Sequence, residues 1–246
     1  MTLVITEITK FGIAMVADSA VTSTEVMPSG KVMNRVLNGV RKLQVIPYLG
    51  AAISVWGIGS ILASKGEVST DNWLADFIER HSSTGSLDEF ANFLVKELQT
   101  VIGPIQKPMG FHLSGYVDIS GRKLPTFYHV RNVEGTYAQY TFHEFSPGQD
   151  YPPQEIGNNL FERRNGDYGP YAALSEAVHQ AIPKVQVGMG LTIPHPSLPG
   201  RLAYLAAWVR FISDLYESSG LLKTIGGGIA AVGIYPDGQV VYYPVV

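Results

Sequence analysis

Two β-branched runs lie within the first eighteen residues, 2–9 (TLVITEIT) and 12–18 (GIAMVAD), with only Lys10, Phe11 and Gly12 at the joint between them. Each run has the length of a strand, and the joint has the length of a hairpin turn. The chain therefore opens on paired antiparallel strands, and everything after them has to extend or cover that pair. Residues 19–40 read as a polar, Gly- and Ser-bearing connection, after which KLQVIPYLGAAISVWG supplies a second strand pair broken near Pro47 to Gly50. Four strands are thus expected before the first helix.

A first helix is expected within part of 58–81. A second is expected from Ser86, where SLDEFANFLVKELQTVIG carries Leu87, Phe90, Phe93, Leu94, Leu98 and Val101 at helical spacing. Ser86 and Glu89 make a capping box at its start, and Gly103 ends it. FHLSGYVDIS, LPTFYHVR and TYAQYTFHEF between 111 and 145 then read as a three-stranded meander with turns at Gly121 and Gly135. Two more helices are expected over 169–182 and 200–219, separated by the Pro-rich loop TIPHPSLPG, and two closing strands flank Pro236-Asp237-Gly238. No linker or compositional break divides this order, so residues 1–246 are expected to form a single domain. The fold class it implies is α+β: a four-layer αββα sandwich in which two antiparallel sheets pack face to face, each covered outside by a pair of helices.

Composition excludes several functions. Lys+Arg number 18 against 21 Asp+Glu, a formal charge of -3, which supplies no basic field for nucleic acid or an anionic membrane. Cysteine is absent, removing disulfides, thiolate nucleophiles and Cys-ligated metals together. The six His are scattered without paired-ligand spacing, so neither a metal nor another cofactor is expected. The start lacks the charge pattern of a secretory signal, and no apolar run approaches the roughly 18 residues that span a bilayer, so a cytoplasmic location is expected. Gly226-Gly227-Gly228 is no phosphate loop, because it precedes a strand and has no GK[ST].

Thr2 carries chemistry of its own. Removal of Met1 would leave it N-terminal, with a hydroxyl and a free α-amino group on one residue. An α-amine of pKa about 7.7–8.0 is partly neutral near pH 7 and can take the hydroxyl's proton, which makes Thr2 a nucleophile with its own base. TLVITEITKFGIAMVADSAVT, RKLQVI and the strand end SVWGIGS together resemble the proteasome-type N-terminal nucleophile (Ntn) hydrolases, proteasome β subunits and their bacterial relatives.

The resemblance implies a set of partners. Asp18 stands 16 residues after Thr2, and Lys42 heads the strand LQVI after a connection, 23–40, longer than the family's. A Lys ammonium beside Thr2 would lower the pKa of amine and hydroxyl, and Asp18 would keep that Lys charged and oriented. A backbone N–H near Gly57 would stabilise the oxyanion, Thr22 would pair its backbone with an extended substrate, and Val21 would face the specificity pocket. GDYGPYAAL and IGGGIAAVGIYPDG continue the likeness more loosely, with Asp167, Lys223 and Gly226 where the family places hydroxyl and carboxylate residues that support the amine. Asp167 could pair with Lys223 or reach the amine from another side.

The function implied is a threonine-type peptide or amide hydrolase, a subunit of a proteasome-like homo-oligomer acting on peptides or unfolded protein, with any ATPase partner left open. Two alternatives stand beside it: a non-catalytic scaffold subunit, motivated by the missing hydroxyls, and a small-molecule amidase with the same nucleophile.

Overall fold

Strands β1 (Leu3–Thr9) and β2 (Gly12–Asp18) form the opening hairpin, in register from Val4 opposite Ala17 to Thr9 opposite Gly12. The turn closes through the Thr9 hydroxyl, which donates to the Gly12 carbonyl at 2.9 Å and accepts the Phe11 N–H at 3.1 Å. The computed structural model describes residues 2–63, 66–102, 108–132, 140–145, 159–192, 194–220 and 224–243. Among these, β3 (Val21–Val26), β4 (Val32–Leu37), β5 (Leu43–Ile46), β6 (Ala51–Trp56), β7 (Ser60–Ala63) and β8 (Gly66–Ser69) come before helix α1 (Thr70–Arg80). Helix α2 (Leu87–Glu97), strands β9 (Gly110–Ile119), β10 (Arg122–Asn132), β11 (Tyr140–Phe145) and β12 (Asn159–Gly166), helices α3 (Gly169–Met189) and α4 (Leu198–Ser219), and strands β13 (Ile229–Ile234) and β14 (Val240–Tyr243) complete the order.

The fold is α+β, with two five-stranded antiparallel sheets in the orders β12-β1-β2-β13-β14 and β11-β10-β9-β6-β5. Strands β1 and β2 are buried along their whole length because both of their faces are covered. Leu3, Ile5, Ala14 and Val16 cluster with Leu205, Trp208 and Val209 of α4. Val4, Ile8, Ile13 and Met15 cluster instead with Leu43, Ala52 and Phe127 of the other sheet. The two-residue period of the strands sorts their side chains between these two cores. On the second sheet Ile53, Val55, Phe111 and Leu113 join Trp73, Phe77, Phe90 and Leu94 of α1 and α2 in a third core. No helix among the described residues is long and apolar enough to cross a membrane.

Several segments depart from the sequence expectation. The expected connection 19–40 contains the β3–β4 hairpin, and 58–81 opens with the β7–β8 hairpin before α1, so eight strands rather than four precede the first helix. Each is too short or too exposed to show a period: β4 is exposed over nearly all its length, and β7 and β8 are four residues each, with Ile61 of β7 in the core. Strand β12, also unanticipated, is an edge strand carrying Glu162, Arg163 and Arg164, and edge charges mask strand periodicity. Helix α3 runs on through Pro183 to Met189, and α4 starts inside the Pro-rich loop, where the Ser197 hydroxyl accepts the Gly200 N–H at 3.1 Å as cap. Ser86 accepts the Glu89 N–H at 3.1 Å as expected, whereas the Glu89 carboxylate reaches Gly85; Gly103 and Gly135 lie outside the described residues.

Two polar arrangements interrupt these cores. Between the sheets, fully buried His112 bonds the Thr6 hydroxyl through Nδ1 at 3.0 Å and Asn165 Oδ1 through Nε2 at 2.8 Å. Burial, assisted by the positive charge of Arg163, pushes the His112 pKa down to about 4. Below pH 6.5 the unfolded chain takes up a proton that the folded chain refuses, so stability is full above that pH and falls as pH drops toward 4. We expect a loss of about 3 kcal/mol over this interval, measured by urea titration at stepped pH, and a shallower fall in His112→Gln. Under α4, the Glu7 carboxylate, wholly inaccessible on β1, binds Arg201 through two oxygens, one of them 2.7 Å from Nε. Arg201→Met strands that carboxylate and should cost about 3–5 kcal/mol in the same assay, much of it recovered when Glu7→Leu is added.

Candidate active site

Thr2 stands at the entry to β1, 4% exposed, and its carbonyl accepts the Asp167 N–H at 2.7 Å. Gly166, at the end of β12, makes this approach possible: its φ is +94°, and a Cβ there would overlap the Thr2 carbonyl. One strand away Asp18 closes β2, 1% exposed, with both oxygens fully engaged. Oδ1 accepts the Leu3 N–H at 2.9 Å and Lys42 Nζ at 3.0 Å; Oδ2 accepts the N–H groups of Ala20 at 3.2 Å and Gly226 at 3.1 Å. Four donors on one carboxylate meet its hydrogen-bonding capacity.

Lys42, just before β5, is 3% exposed and donates from Nζ to Asp18 and to the Ala20 carbonyl. Burial pushes its pKa below the usual lysine value, and the charge and hydrogen bond of Asp18 oppose that fall. Thr2, Val21, Thr22, Lys42 and Gly57 line one open cleft, together with Trp56, Asp71 and other residues. Asp18 sits behind Lys42 rather than on the cleft wall.

Two glycines shape the rim. Gly57 has φ +105°, and a Cβ there would come within 2.4 Å of the Pro108 carbonyl oxygen and 2.7 Å of Met109 Cα. Gly59 packs against Val21, whose Cγ1 a Cβ would approach to 2.4 Å. The Gly226–Gly228 run serves close packing in a similar way, since a Cβ on Gly227 would meet the Ser19 hydroxyl at 2.6 Å.

The Asp167 carboxylate does what the sequence did not foresee. Its Oδ2 accepts the Tyr216 hydroxyl at 2.5 Å and the Thr224 hydroxyl at 2.6 Å, while Lys223 lies outside the described residues. Burial first, then the bond to Asp167, raises the Tyr216 pKa. Two hydroxyls thus stand on Asp167 from positions that the sequence comparison did not consider. Thr224 carried a usable signal, a hydroxyl just ahead of the glycine run, whereas Tyr216 lay within an amphipathic helix stripe and carried none. Asp71 was likewise unanticipated, because it sits 29 residues beyond Lys42 in the chain and reaches the cleft only through the packing of α1. Among the described residues no three His, Asp or Glu side chains gather as metal ligands.

No protein-family model matches this chain, and no curated protein does. Solved structures that resemble it include an Anbu (Gly-1) mutant from Hyphomicrobium sp. strain MC1, 13% identical with a TM-score of 0.50, the match covering 98% of this chain and 85% of that one. Another is Anbu (ancestral beta-subunit) from Yersinia bercovieri, 11% identical with a TM-score of 0.51, covering 98% and 86%. At this identity the likeness is one of fold. It corrects the recognition drawn from the sequence: the resemblance to proteasome β subunits and their bacterial relatives gives way to an Anbu-like fold without a family or curated match in sequence. Short motifs at strand ends had carried that recognition, and such motifs record local geometry more than descent.

Replacing Gly57 by Ala should lower stability by about 2 kcal/mol or more, since the new methyl has to displace backbone and sits at an unfavourable φ. Chemical denaturation checks it, and an unchanged midpoint would mean that the rim relaxes freely.

Proposed function

We propose that the chain is a threonine-type amide hydrolase, with Thr2 made N-terminal by loss of Met1, and that it works as a subunit of a proteasome-like homo-oligomer. The observation that carries this reading is Lys42, paired with buried Asp18 behind it, on the wall of the cleft that Thr2 and Gly57 also line. In the proposed reaction the Thr2 α-amine takes the proton of its own hydroxyl, directly or through a water, as Oγ1 attacks the amide carbonyl. The Lys42 ammonium disfavours a second positive charge nearby and so keeps the amine neutral near pH 7, and Asp18 holds Lys42 charged against the effect of its burial. The Gly57 N–H takes the developing oxyanion. Collapse of the tetrahedral species expels the amine product, protonated by the Thr2 ammonium, and water then cleaves the ester left on Thr2.

Thr22 on β3 offers its backbone to an extended peptide, a strand addition, while Val21 borders the side-chain pocket. The reading takes residues 1–246 as one domain with four αββα layers; the three core clusters, one between the sheets and one under each helix group, support that arrangement. The hydroxyls of Thr224 and Tyr216 beside Asp167 favour a working site over a scaffold that has lost one.

Intact mass before and after treatment with a peptide epoxyketone tests the proposal, because that electrophile needs a hydroxyl and a free amine on the same residue. Loss of Met1 and a single stoichiometric adduct, absent in Thr2→Ala, is the expected result. Retention of Met1, or a processed chain that takes no label, would overturn it in favour of a scaffold.

A further inference from the structure

Asp71 has an anchored backbone and, among the described residues, no ion-pair partner. It lies in the first turn of α1, 8% exposed, on the wall of the cleft that contains Thr2. Gln44 Nε2 donates to its carbonyl at 2.8 Å and to the Arg41 carbonyl at 3.1 Å, tying the start of α1 to the strand that follows Lys42. Its carboxylate accepts the Arg41 N–H at 3.1 Å through Oδ2, and among the described residues Oδ1 has no donor.

Among the described residues no cation pairs with it. The Arg41 guanidinium is directed to Asn72 Oδ1 at 3.0 Å, and Lys42, the other charged group on the cleft, is engaged by Asp18 and the Ala20 carbonyl. The hydroxyl of the neighbouring Thr70 is spent on the Ile58 carbonyl at 2.9 Å. The N-terminal end of α1 supplies only a partial positive charge. A carboxylate on the cleft wall with one oxygen free of protein donors is placed to take a cation brought by a ligand. The rest of the wall suits the stem of such a ligand, since Val21, Val40, Val55 and Ile58 present apolar surface along which methylenes can lie.

We infer that the cleft selects amide substrates with a cationic side chain, lysine- or arginine-like, on the residue that supplies the scissile carbonyl, and that Asp71 is the specificity-determining acid. The inference rests on the reading of Thr2 as nucleophile. The competing role for Asp71 is confined to the helix start, where an acid in the first turn is favourable by itself, and that role predicts no substrate preference.

Fluorogenic tripeptide amides ending in Arg, Lys, Leu or Glu separate the two roles, assayed with processed wild-type protein, Asp71→Asn and Asp71→Glu. The readout is the ratio of kcat/KM for Arg over Leu within each preparation, which cancels any difference in the folded or processed fraction. Wild type should favour Arg by roughly 10-fold or more; Asp71→Asn should cut the ratio roughly 10- to 100-fold, and Asp71→Glu should retain most of it. A wild-type ratio near or below one, or a ratio that Asp71→Asn leaves unmoved, overturns the inference. Labelling of Thr2 by an uncharged leucine epoxyketone, run in parallel, tells the two failures apart. Labelling without a basic preference overturns the role of Asp71 alone, whereas no labelling and no hydrolysis of any amide overturns the nucleophile and this inference together.

Discussion

The carboxylate of Asp18 ties the site to the fold. Its four donors come from four separate places: the Leu3 N–H at the start of β1, the Ala20 N–H just past β2, the Lys42 ammonium before β5, and the Gly226 N–H at the approach to β13. Three of these belong to segments of one sheet, and Lys42 leads into the other. A buried carboxylate tolerates its environment only when its lone pairs are satisfied, so this single group forces those chain segments into one arrangement. The same carboxylate, through its charge and its hydrogen bond, opposes the fall in the Lys42 pKa that burial causes.

Two further buried polar arrangements follow the same logic at other depths. Glu7 and Arg201 pin α4 to the middle of β1, while His112 joins Thr6 of one sheet to the neighbouring sheet and to Asn165. In each case β1 carries one partner, on alternate sides of the strand. Apolar contact alone would permit a sheet to slip against its cover; a hydrogen-bonded pair at a defined position penalises the slipped register by leaving a buried group unpaired. The cleft at the end of β1 depends on that register, because a shift of one residue would carry Thr2 away from Lys42 and Asp18.

Legibility in the sequence tracked burial. The β1–β2 hairpin, the β5–β6 pair, the β9–β10–β11 meander, α2 and the closing β13–β14 hairpin all have an apolar period, and the sequence reading located them. The hairpins β3–β4 and β7–β8 and the edge strand β12 were missed, since their ladders are made by backbone groups whose hydrogen bonds leave no trace in side-chain type. At the site, Thr2 was singled out by its own hydroxyl and prospective amine, and Asp18 and Lys42 through the family resemblance carried by the strand ends they sit on, which are local features. Tyr216, Thr224 and Asp71 could not be placed, as each reaches its position through a helix or a turn that packs from far along the chain.

The sequence by itself determined the hairpin at the N-terminus, the α+β alternation of elements, the absence of cysteine chemistry and the residues able to act as nucleophile and ion pair; these follow from side-chain type and short periods. Tertiary structure alone decided that Asp167 meets Tyr216 and Thr224, that Asp71 lines the same cleft as Thr2, and that Gly57 rather than a residue with a Cβ can pass beneath Met109. The physical reason is range. Propensity and periodicity act over a few residues, whereas desolvation, charge pairing and close backbone approach depend on which distant segments the packing brings together.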